Sequence, residues 1–134
     1  MAPVLSAEGA PINWVNYKTN FKGVAFRLHA DARHARIGIE LTQPDASVRE
    51  LFFEQFREVQ ALLHDAVGEV WTWELHAVNE HGQSLSTIYR ELRPVNLFNR
   101  NDWPALISFF KPRLIALDEF WSGAQVAFEE LREL

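Results

Sequence analysis

Two glutamates at polar positions of strand-like segments are the residues whose type and spacing could do chemistry. Glu40 and Glu74 each stand in a stretch of alternating apolar and polar residues, and His76 follows Glu74 after one residue. In one class of metal-dependent nuclease, two carboxylates and a lysine on adjacent strands hold Mg²⁺ and orient water. Here His76 stands where a lysine is needed, so the match to such a nuclease is weak.

A metal site across the sheet is the second candidate constellation. His29 and His76 could gather with Glu40 and Glu74, because imidazole and carboxylate both ligate metals. Histidines on the exposed side of strands are common without metal, however, and we expect neither a metal nor another cofactor. The chain also lacks cysteine and the motifs GxxxxGK[ST], GxGxxG, GxSxG and HExxH, which favours a non-catalytic protein.

Basic residues are concentrated in two segments, although the net charge is −5. Residues 16–36 carry five basic side chains against Asp31, and residues 90–113 carry five against two acids. A basic patch that could bind nucleic acid would form if these two segments meet in space. The candidates for phosphate contacts are Lys18, Arg27, His29, Arg36, Lys111 and Arg113.

The elements that must position these side chains begin with four strands. Apolar residues alternate with polar ones in 24–29, 35–41, 69–78 and 84–92, and short turns join them in pairs, which predicts two antiparallel hairpins. If the apolar side faces a core, one sheet face stays uncovered. That face would present Arg27, His29, Arg36 and Glu40, with Thr72, Glu74 and His76 on a neighbouring strand.

A helix is predicted between the hairpins. Ser47 and Glu50 form an S-x-x-E capping box, apolar residues then recur every three or four positions, and Gly68 follows the last of them.

A longer helix is predicted after the second hairpin. Asp102 suits its N-cap, Pro104 suits its first turn, and an apolar stripe continues from Trp103 to Leu131. Pro112 lies in the middle of this stripe, where it removes a backbone donor. We therefore expect two helical pieces joined near residues 110–113, with a bend toward the core.

Together these elements predict an α+β fold, ββαββα, in which a four-stranded antiparallel sheet carries both helices on one face. Residues 1–12 are expected to be a flexible tail and residues 13–134 a single domain. No stretch approaches the length of a membrane span and no signal peptide is evident, which predicts a cytoplasmic protein.

Three segments carry a resemblance to a known family. "NWVNYKT", "RELFFEQF" and "NLFNRNDWPALISFFKPRLIALDEFW" make the chain, from about Asn13 to about Leu131, similar to a prokaryotic domain of unknown function, family 4268. The resemblance implies a place beside nuclease-like or restriction-associated domains, and it supplies no catalytic residues. Relatives tend to have an additional Phe-Trp helix before "NWVNYKT", which this chain lacks.

Three functions are compatible with these observations. The first is a non-catalytic interaction module that contacts a protein partner or its own copy, through the sheet or through Trp14 and Tyr17. The second is an accessory nucleic-acid binder in a nuclease or restriction context. The third is a degenerate Mg²⁺-dependent nuclease.

Overall fold

The computed structural model describes residues 12–14 and 17–134, with side chains from Tyr17 onward. The strands are β1 (Ile12–Trp14), β2 (Val24–Ala30), β3 (Ala35–Leu41), β4 (Thr72–Val78) and β5 (Ser84–Leu92). They form one antiparallel sheet in the order β1-β2-β3-β5-β4. The helices are α1 (Ala46–Glu58), α2 (Gln60–Val67) and α3 (Trp103–Ala124), with 3₁₀ turns at Arg100–Asp102 and Gln125–Leu131.

The α+β class and the four predicted antiparallel strands are confirmed, but the simple ββαββα arrangement is wrong. A fifth strand, β1, pairs with β2 at the edge of the sheet. The first predicted helix is divided at Val59 into α1 and α2. The predicted tail, residues 1–12, lies outside the described residues except for Ile12, which begins β1.

The order of the strands decides which side chains are neighbours. β3 pairs with β5, so β5 separates β3 from β4, which forms an edge of the sheet. Thr87 on β5 is the register partner of Glu40 on one side and of Glu74 on the other. The two glutamates therefore share a face but do not lie on neighbouring strands, which corrects the expected arrangement.

The core lies between the helices and one face of the sheet, and aromatic rings dominate it. The indole of Trp121 on α3 is 1% exposed, stacks on Phe56 of α1 with centroids 5.8 Å apart, and meets Phe26 of β2 edge-on. The predicted apolar stripe of the last helix is thus largely confirmed. The predicted members that are buried are Leu106, Phe110, Leu117, Trp121 and Ala124 of α3 and Phe128 of the following turn. Phe109 and Phe120, which the stripe did not include, are buried as well.

The start of α1 differs from the predicted capping box. Asp45 is the N-cap, and its carboxylate accepts the backbone N–H groups of Ser47 and Val48. An aspartate caps as well as a serine does, and here it stands two residues earlier. The predicted end is confirmed, since Gly68 adopts the left-handed conformation with φ of 70°.

The predicted interruption of the last helix is wrong, because α3 continues through Pro112 without a break. Pro112 and Ser108, whose carbonyl loses its helical donor, are both exposed. Water can therefore reach the orphaned carbonyl. A bend at Pro112 stays a prediction.

None of the helices in residues 17–134 is both long enough and apolar enough to cross a membrane.

Replacing Pro112 with alanine tests what the proline costs. Pro112→Ala restores the backbone donor to Ser108, so we expect the free energy of unfolding to rise, by at most about 3 kcal/mol. Chemical denaturation measures it. The control Ser108→Ala, exposed on the same helix, should change it by less than about 0.5 kcal/mol. Destabilisation by Pro112→Ala would mean that packing requires a proline-induced bend.

Candidate functional site on the polar face of the sheet

The sheet face opposite the core is polar, and none of the described helices packs on it. We call it the polar face. Its residues, read from the strand register, are Ala25, Arg27, His29, Arg36, Gly38, Glu40, Thr72, Glu74, Ala77, Leu85, Thr87, Tyr89 and Glu91. Leu85 is the one large apolar residue among them, and it is buried. The predicted candidates Arg27, His29 and Arg36 do share this face. The side chains of Arg27 and Arg36 are 41% and 39% exposed.

A stack of Arg36 on Tyr89 occupies the centre of the polar face. The Arg36 guanidinium carbon lies 3.8 Å from the centroid of the Tyr89 ring, and the Tyr89 hydroxyl donates to Glu74 Oε1 at 2.8 Å. Gly38 is the register partner of Tyr89. A Cβ on Gly38 would lie 2.8 Å from Tyr89 Cβ and 2.7 Å from the Ile88 carbonyl oxygen, so only glycine fits there.

Each arginine of the face has an acidic partner. Arg36 donates twice to Glu91 Oε1, at 3.1 and 2.8 Å, and Arg27 Nε lies 3.3 Å from Glu40 Oε1. Burial raises the pKa of Glu40, and the Arg27 charge opposes this rise only in part. Burial also acts to raise the pKa of Glu91, but hydrogen bonds from Arg93 and Arg36 outweigh it and lower that pKa. The face is therefore a set of cross-strand charge pairs.

The carboxylates proposed for a nuclease do not converge. Thr87, which is 5% exposed, separates Glu40 from Glu74, and each glutamate already has its own partner. Nor does the structure gather His29 and His76 with these glutamates, since His76 is exposed on β4 near a register shift. In the described part of the chain, the one group of three His or acidic residues within metal-ligating distance is His29, Asp31 and His34.

That group lies where β2 meets the β2–β3 turn, with His29 on β2 and Asp31 and His34 in the turn. Asp31 Oδ1 accepts the backbone N–H groups of Arg33 and His34 at 2.8 and 3.0 Å, and Asp31 Oδ2 lies 3.2 Å from His29 Nε2. Burial acts to raise the pKa of Asp31, but the two backbone donors and the histidines lower it to about 2. Sequence reasoning selected His29 and missed Asp31 and His34, although the spacing H-x-D-x-x-H across a hairpin turn was available as a signal.

Lys18, Lys111 and Arg113 are not part of the polar face. Lys18 is exposed before β2, while Lys111 is exposed on α3, which packs against the opposite side of the sheet. The Arg113 guanidinium donates to both oxygens of Glu69, at 2.7 and 3.0 Å, and to the Phe109 carbonyl. Arg113 thus links α3 to the segment before β4, and the six basic candidates do not form one surface.

The predicted interface residues lie near the N-terminal end of the described chain. Trp14 is the register partner of Leu28, and its side chain lies outside the described residues. Tyr17 stacks on Phe26 with centroids 4.8 Å apart and donates to Asp118 Oδ1 at 2.6 Å. Burial and the Asp118 carboxylate raise the pKa of Tyr17 to about 12. Tyr17 therefore ties its segment to α3.

A shallow pocket of about 590 Å³ lies beside the hairpin turn. Its lining is Ala32, Arg33, Arg93, Pro94, Val95, Asn96 and Asp102. Asp102 stands at the N-cap position of α3, as predicted, but its side chain does not cap the helix. Its carboxylate instead accepts the backbone N–H of Asn96, another residue of the pocket lining, at 2.8 Å.

Comparison with protein-family models assigns the chain to a family. The family model described as "Domain of unknown function (DUF4268)" matches residues 3–125. Searches of the curated proteins and of the solved structures found no match.

Substituting Gly38 tests whether the central stack depends on the missing side chain. Gly38→Ala forces the Ile88 carbonyl and Tyr89 apart, so we expect the free energy of unfolding to fall by about 1–3 kcal/mol. Thermal or chemical denaturation measures it. Gly123→Ala is the control, because a Cβ there meets nothing within 4 Å and alanine favours helix. Equal stability of Gly38→Ala and the wild type would contradict the close packing.

Proposed function

Because the chain belongs to the DUF4268 family, whose description names no reaction, we propose its function from its surface: a non-catalytic interaction module whose polar face contacts a protein partner. The partner proposed first is a second copy of this chain.

The observation that carries this proposal is the Arg36–Tyr89 stack. Arginine and tyrosine are enriched among residues that dominate interface energies. Both side chains are held before any partner arrives, Arg36 by Glu91 and Tyr89 by Glu74. Preorganisation lowers the entropy lost on association. The stack is therefore suited to anchor an interface.

The charges of the face favour a second copy as the partner. Arg27 and Arg36 alternate with Glu40, Glu74 and Glu91 across the strands, so both signs occur close together. A two-fold interface brings the same patch against itself, and a patch with both signs can place each charge beside its opposite. A face of one sign would repel its own copy.

The size of the face makes the proposed association weak. Four strands spaced about 4.8 Å apart, with seven residues of about 3.3 Å each, give roughly 400 Å² in projection. Stable interfaces bury about 800 Å² on each partner. The dimer is therefore expected to be reversible and, because exposed charges contribute to it, sensitive to salt.

Charge-reversal variants test this dimer. Arg27→Glu makes the face strongly acidic, and the double variant Glu40→Arg with Thr72→Arg, which changes an exposed residue of the same face, makes it basic, so each of the two proteins should repel its own copy. A mixture of the two should associate at least as well as the wild type, because the faces are then opposite in charge. Sedimentation equilibrium at low and high salt measures the mass.

The control variants reverse charges on α3, on the side of the molecule opposite the polar face. Lys111→Glu and Glu119→Arg, both exposed on α3, should leave the dimer unchanged. A monomeric wild type at every concentration, or a mixture that stays monomeric while the wild type dimerises, would refute association through the polar face.

A nucleic-acid-binding role in a nuclease or restriction context is the second candidate. It is favoured by the placement of Arg27, His29 and Arg36 on one face on which no described helix packs, and by the resemblance noted from the sequence. The acidic partners of both arginines and the three glutamates of the face weigh against it. The degenerate nuclease is not favoured, since Glu40 and Glu74 are separated by β5.

Binding of short oligonucleotides separates the two candidates. If the face binds phosphates, affinity falls steeply with salt and falls further in the double variant Arg27→Glu and Arg36→Glu. Fluorescence anisotropy measures it. Lys22→Glu with Arg100→Glu, two exposed basic residues off this face, is the control for net charge. The absence of binding by the wild type at low salt would refute the nucleic-acid role.

A further inference from the structure

We infer that His29, Asp31 and His34 form a binding site for a divalent transition-metal ion of the Zn²⁺ class. One ring nitrogen from each histidine and one carboxylate oxygen all lie within 4.8 Å of one another. Imidazole and carboxylate together are a common ligand set for Zn²⁺ and for other first-row divalent ions. His29 also belongs to the polar face, so the site lies at the edge of the proposed dimer contact, but the inference does not rest on the dimer.

The distances between the ligand atoms suit such an ion. Asp31 Oδ2 lies 3.2 Å from His29 Nε2, and Asp31 Oδ1 lies 3.2 Å from His34 Nδ1. Ligands that bind tetrahedral Zn²⁺ at about 2.0–2.1 Å lie roughly 3.3 Å from one another. Each imidazole therefore lies at ligand spacing from a different oxygen of the Asp31 carboxylate.

The turn that carries these ligands is rigidly held. The Asp31 and His34 backbones are bonded to each other, and the N–H groups of Val95 and Leu97 donate to the carbonyls of Arg33 and Asp31. Asp31 Oδ1 is oriented by the two backbone donors of the turn, which leaves Oδ2 without a backbone donor. Ligands that are themselves hydrogen-bonded in this way are characteristic of metal sites.

An unsatisfied polar atom marks the same place. His34 Nδ1 is buried and makes no hydrogen bond, although it lies 3.2 Å from Asp31 Oδ1. A buried polar atom without a partner is costly, and a metal ion would supply one. The side chains of His29, Asp31 and His34 remain 18–29% exposed, so an ion can reach them from solvent.

The charges around the cluster limit its affinity. Glu91 lies beside the other ring nitrogen of His34, with Oε1 3.8 Å from Nε2, and Arg36 and Arg93 already contact its carboxylate. Arg33 lies in the turn itself. The arginines oppose a divalent cation, so the site is expected to bind more weakly than one surrounded by acids.

Titration of the whole chain with Zn²⁺, followed by calorimetry, and with Co²⁺, followed by its visible absorption, tests the site. We expect one ion per chain and a Co²⁺ spectrum typical of nitrogen and oxygen ligands. His29→Gln, His34→Gln and Asp31→Asn should each weaken binding more than about tenfold. Asp31→Asn retains an oxygen that can accept the turn N–H groups, so it removes the anionic ligand while keeping the fold, as circular dichroism can verify.

The histidines at other positions provide the controls. His76→Gln and His81→Gln change exposed histidines of the β4–β5 hairpin and should bind as the wild type does. The inference is overturned if the wild type binds no ion, if the folded Asp31→Asn variant binds as tightly as the wild type, or if the control variants lose binding equally. A purely structural role for the cluster would change stability without any Co²⁺ spectrum.

Discussion

The burial of the Trp121 indole is the constraint on which the two layers of this fold depend. Its ring is enclosed by rings from α1 and β2, and its N–H donates to the Thr19 carbonyl at 2.9 Å. A buried N–H without a partner would cost about 1–3 kcal/mol, so the segment before β2 must reach α3. Tyr17 repeats the connection through Asp118, one helical turn away. The helices are thereby held against one side of the sheet.

The polar face exists because the opposite face of the sheet is packed against the helices. Once the apolar residues of β2, β3 and β5 contact the helices, the alternation of the strands directs their charged residues away. Charges that remain side by side on a sheet are stable when opposite signs face each other across strands. The Arg27–Glu40 and Arg36–Glu91 pairs meet this condition, and Gly38 leaves the space in which Tyr89 lies beneath Arg36. The arrangement is thus a property of the whole sheet.

Local periodicity predicted most of the elements, because it records which side of a strand or helix is buried. It placed β2, β3 and the buried stripe of α3 correctly. It did not predict the break at Val59, where neither glycine nor proline is present, nor the choice of Asp45 over Ser47 as the cap. Asp45 and Ser47 are both good N-cap residues and lie within three positions of each other. The direction of the segment before the helix selects between them, and tertiary contacts decide that direction. The helix continues through Pro112 because the orphaned Ser108 carbonyl lies on the exposed side, where water can hydrogen-bond it.

The site was less predictable than the fold, because strand order and turn geometry bring its residues together. The sequence pattern suggested that Glu40 and Glu74 lie on adjacent strands, but β5 lies between those two strands in the sheet. In the sequence, Asp31 and His34 have no signal beyond that of turn residues. Only the folded turn brings their side chains close to that of His29. Glu91 then connects both proposals, since it contacts Arg36 on the polar face and lies 3.8 Å from His34. If the proposed cation binds at the turn, its charge would attract Glu91 away from Arg36, and by reciprocity a contact that holds the Arg36–Glu91 pair would weaken cation binding. The two proposed sites would then be coupled through Glu91, even though each can be tested alone.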